Sequence, residues 1–202
     1  MITIRQIERA WQARTYEKLF RELVANRPES TFRFDQEQGR AIPAAAMGVI
    51  RLEELSQSHV PVCAQLLRAV IAGQEVDGGW GDPTATALCL RALLCCNGDG
   101  TAITRGLNYL ADLQKTEGAW PAVPLRRMPA DGYASAFILC QLGNQERFRD
   151  AVDFDAALNW LERHETGLTF DARRMWDVAK LRCGSAARRA MQHRREPMLA
   201  WS

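Results

Sequence analysis

The chain has no apolar run approaching the ~18–20 residues that cross a bilayer. Its first residues, MITIRQIERAWQAR, are charged and amphipathic and hold no apolar signal core. These absences predict a cytoplasmic protein without a membrane span. Six cysteines, at positions 63, 89, 95, 96, 140 and 183, form no CxxC pair. Most lie in apolar helical runs, as Cys89 does in ATALCLRALL, so buried reduced thiols are expected. Alternating β-branched runs are nearly absent, which argues against a sheet. A phosphate-binding P-loop, a Rossmann glycine fingerprint and a Gly-x-Ser-x-Gly elbow are all missing, which removes the common nucleotide-binding and hydrolase readings.

What is present suits one globular domain over residues 1–202. Hydrophobic residues make up 47% and charged residues 25%, as in ordinary soluble proteins. The net charge of +2 conceals an asymmetry. Residues 173–195 carry Arg173, Arg174, Lys180, Arg182, Arg188, Arg189, Arg194 and Arg195 against a single acid, Asp177. A basic C-terminal segment of this kind is able to meet nucleic acid, anionic lipid or an acidic protein surface, or simply to be a solvated helix face.

An internal repeat organises the chain. Each unit reads as an amphipathic helix, a loop with glycine or an aromatic, an aspartate, and a second helix of small and apolar residues. The second helices are expected to begin near Ala41, Pro83, Gly132 and Ala172. The first helices are expected over about 4–25, 59–73, 101–114 and 153–164, and a closing basic helix over 185–195. Ile103, Leu107, Leu110 and Leu113 recur at helical spacing in one of them. Phe34-Asp35, Trp80-Gly81-Asp82 and Phe170-Asp171 each place an aromatic just before an aspartate that opens a second helix, and Asp131 does so after a longer loop. Aspartate at an N-cap accepts the unpaired amide hydrogens of the first turn, and Pro83 suits the first helical position.

Residues 105–120, RGLNYLADLQKTEGAW, hold the most specific pattern: Arg105-Gly106, Tyr109-Leu110, Gln114 and Gly118-x-Trp120. A partial copy precedes it, from Gln74 through Gly78-Gly79 to Trp80. The spacing resembles the QW repeat of squalene-hopene cyclases and of protein prenyltransferase β subunits. That resemblance implies an all-α fold, here a partial α/α toroid of about four helical hairpins, where the family closes a ring with about six. In the family the motif is a structural clamp, so Gln74, Trp80, Gln114, Gly118 and Trp120 are expected to serve architecture. A partial ring leaves apolar edges, which cost free energy unless a terminal helix, a partner or a second copy covers them.

The family's chemistry is not matched. The cyclases protonate an alkene with the central acid of a D-x-D-D-T-A motif. The corresponding stretch, Asp82-Pro83-Thr84-Ala85-Thr86-Ala87, has Thr84 and Ala85 in place of the two later acids, and a threonine hydroxyl cannot protonate an alkene. Asp131 is the best remaining acid, and Asp153-Phe154-Asp155 reads as a cap. The Asp-Asp-x-x-Asp diphosphate signature of class I terpene synthases is absent. The prenyltransferase zinc ligands, an Asp-x-Cys pair and a distant histidine, are not found. His59 and Cys63 share a helical spacing without an evident third ligand. His164 and His193 lie in polar helical surroundings and are expected to be exposed.

The sequence therefore favours a non-catalytic interaction or adaptor subunit of a larger assembly, with no cofactor and no metal. Its expected partner is a protein or a second copy, bound through open toroid edges. The alternative is an isoprenoid-binding or terpene-cyclase-like protein, whose hydrophobic ligand would be lined by Ala44, Met47, Thr84, Leu88, Tyr133, Phe137, Met175 and Trp176. A second alternative is a nucleic-acid-associated subunit using the arginines of 173–195.

Overall fold

The computed structural model describes the backbone of residues 34–195 and the side chains of residues 41–184. The described residues are all-α, with no strand. The helices are α1 (Phe34–Glu54), α2 (Pro61–Ala72), α3 (Pro83–Cys95), α4 (Gly100–Leu113), α5 (Gly132–Leu142), α6 (Glu146–Ala151), α7 (Phe154–His164) and α8 (Phe170–Arg195). No described helix is long and apolar enough to cross a membrane.

The elements follow from local chemistry. Asp82 accepts the amides of Thr84 and Ala85 at the start of α3, and Pro83 occupies a position needing no donor. Asp99, Asp131 and Asp153 cap α4, α5 and α7 in the same manner. Asp171 differs from expectation. It lies inside the first turn of α8, and the cap is Thr169, whose Oγ1 accepts the Ala172 amide at 3.3 Å. Asp35 likewise falls one residue inside α1, which runs through Pro43 instead of starting near Ala41.

Two layers result. Helices α1, α3, α5 and α8 pack in that order to form an inner row. Helix α2 lies on α1 and α3, α4 on α3, and α7 on α5. Gly73, after α2, abuts Ile42, and Gly48 abuts Leu66, so α2 runs antiparallel to α1. Helix α3 is buried along most of its length, with Ala87, Cys89, Leu90, Ala92 and Leu93 fully enclosed. Each large aliphatic side chain buried in this way contributes about 1.5–3 kcal/mol.

Two further differences from the sequence reading are informative. Helix α6 has no counterpart among the expected helices. It is a six-residue segment that inserts Phe148, fully buried, 6.1 Å from the Trp120 ring. The basic segment 185–195 is not a separate helix, because α8 continues unbroken through Gly184. A lone interior glycine costs only about 1 kcal/mol, which is too little to end a helix. The expected helix at 4–25 lies outside the described residues.

Candidate functional site

The two motif copies build one device twice. Gln74 Nε2 donates to Gly78 O at 2.9 Å and to Ala102 O on α4 at 2.8 Å. Gln114 Nε2 donates to Gly118 O at 2.8 Å and to Asp153 O before α7 at 2.9 Å. Trp80 Nε1 donates to Val70 O at 2.7 Å, and Trp120 Nε1 to Leu110 O at 2.8 Å. Both tryptophan amides donate to a hydroxyl on the following inner helix, Thr86 at 3.0 Å and Ser135 at 2.9 Å. Gly78 and Gly118 both adopt positive φ, 94° and 100°. The copy that is partial in sequence thus repeats the glutamine donor bonds and both tryptophan N–H bonds, while Gln114 alone also accepts an amide, that of Asp153, at its Oε1. In the fuller copy, Arg105 donates to Glu75 O and Val76 O, Tyr109 to Gly81 O, and Gly106 makes room for the Trp80 ring. These residues hold the preceding loop.

The candidate acids are engaged at helix starts. Asp82 Oδ1 accepts the Thr84 hydroxyl at 2.6 Å besides two amides, so Thr84 is turned toward the cap. Half-buried Asp131 accepts the Ala134 amide at 2.7 Å, and Asp153 accepts that of Ala156 at 3.0 Å. His59 is exposed whereas Cys63 is buried. Among the described residues no group of three His, Cys, Asp or Glu side chains is arranged to hold a metal ion.

The expected ligand-lining residues divide. Met47, Leu88, Tyr133 and Phe137 lie half-buried or exposed on three successive inner helices, with Thr84 beside Leu88 and Ala44 exposed before Met47. Tyr133, 41% exposed, and Phe137 stack with centroids 6.0 Å apart. Met47, Tyr133 and Phe137 do not join the hydrophobic core, whereas half-buried Leu88 and Met175 pack against it. Trp176 is a correction. It is 1% exposed, belongs to the core, and donates its indole N–H to Glu165.

A polar bridge without a sequence signature crosses the same three helices nearer their C-termini. Arg91 donates to Glu54 on α1 at 2.8 Å and to Gln141 on α5 at 2.6 Å, while Arg51 pairs with Glu54. On each helix the polar group follows the apolar one at helical spacing: Met47 before Arg51 and Glu54, Leu88 before Arg91, Phe137 before Gln141. The bridge joins three C-terminal parts, so the three helices point the same way and Met47, Leu88 and Phe137 lie about one turn before it.

The described basic residues of α8 are engaged within the chain. Arg173 donates to Glu165 O and Thr166 O, and Arg182 donates to Cys140 O at 2.6 Å. Lys180 pairs with Glu165 and Asp177, and Arg174 lies over the Phe170 ring. Hydrogen bonds from Lys180 and Trp176 hold the Glu165 carboxyl below its ordinary range. The side chains of Arg188, Arg189, Arg194 and Arg195 lie outside the described residues.

Two further features carry no sequence signal. Cys95 and Cys96 bring their sulfurs within 3.8 Å. Burial pushes the Cys63 and Cys96 thiols up to about 11, which keeps them protonated and unreactive near neutral pH. A depression of about 340 Å³ is lined by Leu94, Asn97, Gly98, Ile103, Gln145, Glu146 and Arg147, none of them an expected ligand-lining residue. Comparisons with protein-family models, curated proteins and solved structures find no match for this chain.

Proposed function

We propose that this chain is a non-catalytic helical-repeat adaptor, built as a partial α/α toroid of the QW-repeat kind, that holds a protein partner on its inner-helix face. One observation carries this reading. Helices α3 and α5 spend their N-terminal aspartates on capping, and Met47 of α1 with Tyr133 and Phe137 of α5 stays outside the core. Large apolar side chains withheld from a core that has buried Trp120, Trp176 and Phe148 favour an external contact. The polar bridge at Arg91 gives that face a fixed boundary.

The Tyr133–Phe137 stack also favours a second reading, a hydrophobic ligand of the isoprenoid class on the same face. Nucleic-acid association finds less support, because Arg173, Lys180 and Arg182 are engaged by acceptors of their own chain. The test is affinity capture from source cells with the native chain and with Tyr133→Glu/Phe137→Glu, each verified as folded by circular dichroism. A nuclease-resistant protein retained by the native chain and lost with the double variant supports the adaptor reading. A lipid-like mass on the isolated native monomer, lost in the variant and with no protein partner, overturns it in favour of the second.

A further inference from the structure

The two motif copies share the glutamine donor bonds and both tryptophan N–H bonds, and in sequence they differ most in the loop that follows the tryptophan. In the first copy one residue, Gly81, separates Trp80 from Asp82. In the second, residues 121–130 separate Trp120 from Asp131, reading PAVPLRRMPA. The glutamine donor bonds and the aspartate cap form in both units, so the added residues are not needed to make either.

The added segment is an ordered loop. Asp131 N donates to Trp120 O at 2.8 Å and closes its base. Two turns lie inside it, Leu125 N to Val123 O at 2.7 Å and Met128 N to Leu125 O at 3.0 Å. Lys115 Nζ reaches in to Arg126 O. Three prolines, at 121, 124 and 129, restrict its backbone further. The loop nevertheless turns its apolar side chains outward: Val123, Leu125 and Met128 are all substantially exposed. Between them sit Arg126 and Arg127, with no acid in the segment. Arg126 meets Asp112 only at 3.4 Å, both groups largely exposed, and Arg127 has no acidic partner among the described residues.

A restrained loop that presents apolar and cationic groups together has met much of its ordering cost before any contact forms. We infer that residues 121–130 are a recognition loop for an acidic protein segment carrying aliphatic or aromatic anchors, with Arg126 and Arg127 pairing its carboxylates and Leu125 and Met128 receiving the anchors. The inference rests on the adaptor reading, and it extends the partner surface from Tyr133, two residues beyond the loop's closing aspartate. A protein segment fits better than an anionic membrane. Two arginines contribute only about 1 kcal/mol each at a charged bilayer, which is little without a larger basic patch, whereas a peptide segment offers carboxylates and apolar anchors together at the spacing of this loop.

The experiment is selection of a random 16-residue peptide library displayed on phage. The targets are the full chain, its Arg126→Glu/Arg127→Glu variant and its Tyr133→Glu/Phe137→Glu variant. The exposed loop arginines are replaceable without disturbing the core, and circular dichroism checks each protein. On the native chain, peptides with Asp or Glu beside Leu, Ile or Phe are expected to enrich, and their binding is expected to fall about tenfold or more on the loop variant. Equal enrichment on native and loop-variant protein overturns the loop inference, and loss on the Tyr133/Phe137 variant in that case leaves the adaptor reading standing. Enrichment on none of the three overturns both. Arginine-dependent sedimentation with phosphatidylserine vesicles, without peptide enrichment, assigns the loop to a membrane and overturns the inference as well.

Discussion

Gln114 and Asp153 exchange a pair of hydrogen bonds across 39 residues of sequence. The Gln114 amide donates to the Asp153 carbonyl at 2.9 Å, and the Asp153 amide returns one to Gln114 Oε1 at 2.8 Å. With the bond to Gly118 O, one side chain fixes its own loop and the start of the next outer helix. Gln114→Ala is expected to cost about 2 kcal/mol, at roughly 0.5–1.5 kcal/mol for each bond lost. Urea unfolding measures it, and faster amide exchange at 153–157 than elsewhere locates it. Gln114→Glu is not expected to restore stability, because a carboxylate cannot donate to two carbonyls.

Gly118 sits at φ 100°, and a Cβ there would come within 2.3–2.6 Å of the Ala156 and Ala157 backbone. Backbone strain and the clash act together, so Gly118→Ala is expected to cost on the order of 3 kcal/mol. The thermal midpoint should then drop by roughly 6–12 °C. Gly100 offers the control. It opens α4 with nothing within 4 Å of where a methyl group would sit, so Gly100→Ala should leave the midpoint unchanged or raise it slightly.

Thr86 is fully buried, and its hydroxyl accepts the Trp80 amide. Thr86→Val keeps the shape but strands a buried N–H, at a cost of about 1–3 kcal/mol. Thr86→Ser should cost less, since Ser135 performs the same task for Trp120. A valine variant as stable as the serine one would show that this amide finds another acceptor.

The thiols make stability sensitive to alkali. Burial pushes Cys89 up to about 12, with the Asp82 carboxylate adding to it, and pushes Cys63, Cys96 and Cys183 up to about 11, from the ordinary 9.0. Above pH 9 the unfolded chain releases these protons while the folded chain keeps them, so stability is fully present below pH 9 and falls as pH rises toward 11 and 12. Urea midpoints at pH 8, 9.5 and 10.5 should decline, and less steeply in Cys89→Ala. The native thiols should also react slowly with a disulfide reagent at pH 8 and rapidly after unfolding.

How much of this is legible in the sequence depends on the range of the interaction. The helices α2, α3, α4, α5 and α7 announce themselves through Asp caps, a leading proline or apolar spacing, which are local signals. Gln74 and Gln114 are recognisable as loop ties, but their second acceptors, Ala102 O and Asp153 O, are set by packing that spacing does not encode. The Glu54–Arg91–Gln141 bridge is illegible for the same reason: three unremarkable polar residues meet only once three helices are aligned. Trp176 reads as a lining residue because it stands on an inner helix, but the face it shows is decided by the packing of α8 on α5. Asp171 misleads as a cap because Thr169, two residues earlier, also has a suitable oxygen.

The clamp makes the chain extensible. Trp80 and Trp120 mark equivalent points, and each glutamine reaches only to the outer helix that follows it. A tandem copy of residues 81–120 would present its own Ala102 carbonyl to the first Gln114 and pass its own Gln114 on to Asp153. Length in such an array is set by the number of units, because each unit's stability depends on its nearest neighbours and not on the total. The protein could thus gain or lose a 40-residue step of reach with both of its ends unchanged.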